Sequence, residues 1–165
     1  MNESKRIELQ ELDVAILSML SQDGTKTYHA IANDLGKSPI TIKKHIEELQ
    51  ENGIIKHYGV EIDYEKLGYN IIALIEITIS KGKMLEVEDQ IAQNPNVFGV
   101  YDITGTYDAL ILARFKDRSE LSNMIKDIHK SPHVESTNTH LVLNVMKEKS
   151  DFVKLMEKQK KEKSK

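Results

Sequence analysis

The chain has 165 residues, enough for one ordinary domain or two small ones, and 39% of them are hydrophobic and 30% charged. No apolar run approaches the ~18 residues of a membrane span, and the polar stretch Met1–Arg6 has no signal-peptide core. Cysteine is absent, which excludes disulfides and thiolate chemistry; the expected location is cytoplasmic. The net charge of −3 does not announce a nucleic-acid partner, so such a role has to be argued from local charge.

Taken in chain order, Leu9, Leu12, Ile16 and Leu20 recur at helical spacing and put one apolar stripe on a first helix. Asp23-Gly24 ends it. A short second helix from about Thr27 buries Ile31, Ala32 and Leu35, and Gly36 is placed to close it in a left-handed cap. Ser38 as N-cap and Pro39 at the first helical position give the third helix a strong start. Ile42, Ile46 and Leu49 form its inner stripe, and Asn52-Gly53 stops it. Two helices joined by so tight a turn make a helix-turn-helix. The segment from Gly53 to Asp63 reads as extended, and Tyr64–Gly68 as a turn.

The second half repeats itself. Met84, Val87, Ile91, Pro95 and Val97 recur, each 37 residues later, as Leu121, Met124, Ile128, Pro132 and Val134. Each copy is an amphipathic helix, a proline-marked break and a strand. Each follows an apolar run, Ile71–Ile79 or Tyr107–Phe115. The order β-α-β-β-α-β predicts a ferredoxin-like sheet with helices on one face. Strand 107–115 is apolar on both sides, so the second sheet face needs a cover. A chain of this length has no third layer, and a second subunit is the simplest one. The predicted fold is therefore α+β. A winged-helix-like helix-turn-helix domain (1–60) and a linker (61–69) precede a ferredoxin-like ligand-sensing and dimerisation domain (70–148). A Lys-rich tail (149–165) follows. From Lys147 to Lys165 there are eight lysines against four acids. That run reads as a solvated, partly frayed tail, with an accessory phosphate-contacting arm as the sharper alternative.

The third helix carries its lysines in the N-terminal half and its glutamates in the C-terminal half. Helix-turn-helix proteins insert that front end into the major groove. Thr41 and Lys44 are then placed for base edges and Ile40 for a thymine methyl. Ser38, Lys37 and Lys43 are placed for phosphates. In the second half, Gly105-Thr106-Tyr107-Asp108 joins two strands, and Thr137-Asn138-Thr139-His140 opens the last one. Polar groups converging beside apolar walls suit a small amino-acid-like ligand. His129 and His133 have the spacing of a ligand pair, but Pro132 interrupts the helix between them. No metal site, cofactor loop, G-x-S-x-G or P-loop is present in the pattern. The expectation is a protein that is not an enzyme and holds no cofactor.

These residues resemble the Lrp/AsnC (leucine-responsive, or feast/famine) family of regulators, from about Leu9 to Lys147. The likeness lies in the order and spacing of several short runs. In the first half these are Leu9-x-x-x-Asp13-x-x-Ile16-Leu17, Ile31-Ala32, Leu35-Gly36-x-Ser38-x-x-Thr41-Ile42, Leu49-x-x-x-Gly53-Ile54-Ile55 and Leu67-Gly68. In the second half they are Val100-Tyr101-x-x-Thr104-Gly105-x-Tyr107-Asp108 and Val134-x-x-Thr137-x-Thr139. The resemblance implies promoter DNA as a partner and homodimers paired through their sheets, with tetramers or octamers beyond. It also implies an amino-acid-like effector at a subunit interface, with Gly105, Tyr107, Asp108, Thr137 and Thr139 as its carried-over contacts. The expected DNA-facing set is Lys37, Ser38, Ile40, Thr41, Lys43, Lys44 and His45. Three positions depart from the family pattern: Gln10 replaces the usual aspartate, which predicts a weaker first cap, and Thr25 and His45 stand where arginine is frequent. The competing expectation is an amino-acid-sensing assembly module that acts through protein contacts without reading DNA.

Overall fold

A computed structural model describes residues 7–163. The chain forms two compact units. One comprises the described parts of Met1–Glu61 and Glu148–Lys165, the other Ile62–Lys147.

The first unit contains helices α1 (Glu11–Gln22), α2 (Tyr28–Leu35) and α3 (Pro39–Glu51). Ile16, Ile31, Ala32, Ile42, Ile46 and Leu49 form its core. Each buried Ile or Leu contributes about 1.5–3 kcal/mol relative to exposure. Two local signals set the geometry of the α2–α3 pair. Gly36 takes φ 62°, and the N–H of Lys37 donates to the carbonyl of Ala32 at 2.9 Å, closing α2. Two residues on, Ser38 Oγ accepts the N–H of Thr41 at 3.1 Å and Pro39 opens α3. Gln10 precedes α1 as its cap, and the expected weakness there is offset from within the helix. The Asp13 carboxylate accepts the Gln10 N–H at 2.8 Å.

Residues 56–63 form no strand within the chain, and Tyr64–Gly68 is a turn. The second unit then builds β1 (Ile71–Ile79), α4 (Met84–Ala92), β2 (Val97–Asp102), β3 (Ala109–Phe115), α5 (Arg118–Ile128) and β4 (Val134–Leu141). The sheet order is β2-β3-β1-β4, with antiparallel neighbours throughout. This is the β-α-β-β-α-β order, and the 37-residue offset places Val97 and Val134 at the starts of β2 and β4. The inward residues Ala73, Ile75 and Ile77 of β1 and Ile111, Ala113 and Phe115 of β3 pack with Val87, Ile91, Leu121, Met124 and Ile128 of the helices. Strand alternation sends Ile72, Leu74, Leu110 and Leu112 to the other face, and all four are only partly buried.

The C-terminal stretch departs from the tail reading. Phe152–Lys163 is a helix, α6, and it packs on α1 within the first unit. Phe152, Val153 and Met156 fall on one side and are partly buried, so three apolar residues hold a lysine-rich segment in place. Lys149 pairs with Glu61 where the chain re-enters this unit.

Candidate nucleic-acid interface and effector site

The front of α3 is an exposed surface with fixed geometry. Ser38 and Thr41 share a 2.8 Å hydroxyl–hydroxyl hydrogen bond beside the backbone cap. Lys37, Lys43 and Lys44 are exposed, and Ile40 is 82% exposed. An isoleucine held so openly at a helix start does nothing for the core. The lysines are loosely tethered: Lys43 Nζ is 3.6 Å from Glu47 and Lys44 Nζ 3.7 Å from Glu48. Such exposed i,i+4 pairs contribute only tenths of a kcal/mol, so phosphate competes with them readily.

His45 is placed differently from the lysines. It turns to α1, where its Nδ1 lies 2.7 Å from Asp13 Oδ1, with both side chains mostly buried. Asp13 thus serves two helices at once, capping α1 through one oxygen and holding α3 through the other. His45 fixes the pose of α3 and does not face outward with Lys43 and Lys44.

The structure brings most of the candidate effector groups to one end of β1, with Thr139 nearer the middle of that strand. Gly105 has φ 129°, a conformation that favours glycine. Asp108 is tied to the end of β1: its Oδ2 accepts the Ile79 N–H at 2.7 Å, and its own N–H donates to Ile77 at 2.9 Å. Tyr107 is half-buried. Ile77 lies opposite Ala109 on one side and Thr137 on the other, so Asp108 and Thr137 flank the same end of β1. Thr139 is two residues further along, opposite Ile75 in the middle of β1. Thr137 Oγ1 is 3.0 Å from His129 Nε2 at the end of α5. Glu88 of α4 has a buried carboxyl oxygen without a partner. Burial, and then the like charges of Asp102 and Asp89, hold its carboxyl above the usual range.

Two groups were not singled out from sequence. On the sheet face away from the helices, Glu76 Oε2 accepts from Asn138 Nδ2 at 2.8 Å and lies 3.1 Å from His140 Nε2. His140, then Asn138, lowers the Glu76 pKa. Glu76 is the single charge in the run Ile71–Ile79, and that isolation was the available signal. The second group is a stack. Arg114 lies 4.6 Å from the ring centres of both Tyr64 and Phe98, and Lys116 lies 5.0 Å from that of Tyr69. It pins the turn after residue 63 to the sheet. Among the described residues no cluster of side chains could hold a metal ion, and no helix is long and apolar enough to cross a membrane.

Residues 9–56 match the winged helix-turn-helix DNA-binding domain, and residues 72–152 the Lrp/AsnC ligand binding domain. An uncharacterised HTH-type transcriptional regulator of Pyrococcus horikoshii is 38% identical over 86% of this chain and 96% of its own length. The HTH-type transcriptional regulator FL11 of the same organism is 36% identical, over 89% and 97%. Among solved structures, AsnC of E. coli superposes with a TM-score of 0.83 at 25% identity, covering 87% of this chain and 98% of that one. A Neisseria meningitidis transcriptional regulator, solved as an L-Met complex, has the same fold, with a TM-score of 0.79 at 24% identity over 87% and 96%. The chain belongs to the Lrp/AsnC family of DNA-binding transcriptional regulators, which are not enzymes, with a helix-turn-helix domain followed by a ligand-binding domain.

Proposed function

We propose that this protein is a sequence-specific regulator acting in the cytoplasm. In this reading it binds promoter DNA as a homodimer or larger assembly and is modulated by an amino-acid-like effector at a subunit interface. The observation that carries the DNA reading is the front of α3: a capped helix start presenting Lys37, Lys43, Lys44 and a nearly bare Ile40. Ser38 and the helix N-terminus receive a phosphate, Lys37 and Lys43 add charge beside it, and Thr41, Lys44 and Ile40 meet base edges. His45 acts behind them as a positioning residue through Asp13.

A second copy is the proposed cover for the apolar sheet face of Ile72, Leu74, Leu110 and Leu112, since these four adjoining apolar side chains remain only partly buried and a contiguous accessible apolar surface marks an interface. Gly105, Tyr107, Asp108, Thr137 and Thr139 are the proposed effector contacts. Their support is that the loop and the start of β4 meet at one end of β1. Polar groups with some hydrogen-bonding capacity left, beside apolar walls, suit a zwitterion with a small side chain.

Anisotropy titrations with promoter duplexes test the DNA reading. The expected result is sequence-dependent binding that weakens steeply as salt rises. Lys44→Ala is expected to cost about 1–3 kcal/mol and to relax sequence preference, whereas Lys160→Ala costs far less. Absent or salt-insensitive binding would transfer support to the rival reading of a metabolite-sensing assembly module, which the acidic balance of the chain favours. Calorimetry with a panel of amino acids, repeated on Asp108→Ala, tests the effector contacts. Equal binding by both proteins would remove Asp108 from the site.

A further inference from the structure

We infer that α6 is a second DNA-contacting element, a lysine stripe that binds the phosphate backbone beside the recognition helix. The inference rests on the DNA-binding reading above and adds a surface that the family matches do not assign. They end at residue 56 for the helix-turn-helix and residue 152 for the ligand-binding domain, while α6 runs Phe152–Lys163.

The helix has two faces with different work. At 100° per residue, Phe152, Val153, Met156 and Gln159 lie on one side. That side meets α1, where Met156 and Gln159 line a cleft with Leu9 and Val14. Lys154, Lys158 and Lys161 recur at i, i+4 and i+7 on the opposite side. The Lys154 and Lys158 side chains are 80% and 74% exposed. Their neighbours Asp151 and Glu162 stand at 3.3 and 3.9 Å, within their own helical turns. Pairs so exposed are weak and exchange easily for a phosphate.

Charge supplies the second, independent argument. Residues 1–61 carry seven basic side chains against ten acidic ones. A unit so composed repels a polyanion at long range, and Lys43 and Lys44 already have glutamates beside them. Residues 148–165 add seven lysines against four acids and belong to the same unit. They bring its formal charge to zero, and five of these lysines, Lys154, Lys158, Lys160, Lys161 and Lys163, lie within α6. A membrane surface is the other polyanion such a helix meets. Membrane binding requires an apolar face for the lipid, and here that face is committed to α1.

The test uses the full chain and two duplexes: one selected by the wild type from a random pool, and a scrambled version of it. The variant carries Lys154→Gln, Lys158→Gln and Lys161→Gln together, since glutamine keeps helix propensity. Three lost phosphate contacts are expected to flatten the slope of log K against log salt by roughly 2.7, from about 0.9 per contact. The preference for the selected over the scrambled duplex is expected to stay as in the wild type, whereas Lys44→Ala shrinks it. Arginine at the same three positions is expected to restore the slope, and circular dichroism confirms that α6 persists. An unchanged slope in the glutamine variant overturns this inference and leaves the DNA reading intact. So does a loss confined to binding of phosphatidylserine vesicles. No DNA binding by the wild type overturns both.

Discussion

The front of α3 and the open face of the sheet are both surfaces that the chain leaves uncovered, and they are built on opposite principles. The helix front is polar, positively charged and narrow, with one bare apolar side chain, Ile40. The sheet face is broader and more apolar, with Ile72 and Leu74 of β1 beside Leu110 and Leu112 of β3, and its polar groups, Glu76 with Asn138 and His140, Thr78 with Ser136, and Arg114, lie around them. The first suits a charged polymer that is read and released. The second suits the apolar partner surface proposed above, a second copy of the chain. Where a protein leaves a surface bare, the chemistry of that surface indicates the class of its partner.

The strongest way to break this contrast is to put a charge on the sheet face. Leu112→Arg is expected to yield monomers in sedimentation while the fold persists, because residue 112 points away from the helices. DNA affinity is then expected to fall by about 100-fold or more, the avidity of two linked half-site contacts. An unchanged sedimentation mass would mean that the sheet face is not the interface.

The helix front is sharpened by separating reading from positioning. His45→Ala removes a mostly buried hydrogen bond to a carboxylate and is expected to cost about 1.5–3 kcal/mol of stability in denaturant titrations. Lys44→Ala is expected to leave stability unchanged while weakening DNA binding. If both variants affected only DNA binding, His45 would belong with the outward lysines after all.

The smallest expected effect lies at Glu88 in α4, beside Asp102 at the end of β2. Burial and the neighbouring acids raise the Glu88 pKa in the folded chain above its ordinary 4.5. The folded state therefore holds that proton more tightly than the unfolded one. Stability is lost as pH rises from 4.5 through the raised value, and the penalty persists at neutrality. Glu88→Gln is expected to raise the melting temperature modestly at pH 7, with no gain once the pH falls below 4.5. A gain that persists in acid would assign the effect to packing.

Much of the fold was legible because local chemistry decided it. Gly36, Ser38 and Pro39 announce the turn and the start of α3, and the 37-residue offset announces both β-α-β copies. The exposure of Lys43 and Lys44 on α3 was legible for the same reason, since helical phase alone turns them away from the core. What stayed hidden depends on distance along the chain. Asp13 and His45 are separated by 32 residues, and Glu76 and Asn138 by 62; no local pattern predicts such pairings. Helix α6 was misread as a tail because its lysines dominate its composition, while its three apolar residues acquire meaning only against α1.

That docking also orders the events of synthesis. The α1–α3 bundle emerges from the ribosome early and can form from neighbouring contacts alone. Its outer face must then wait, uncovered, through the making of residues 52–151 before α6 arrives. A nascent chain arrested within the sheet domain would carry α3 already shaped, yet with the acidic charge of its own unit still uncompensated.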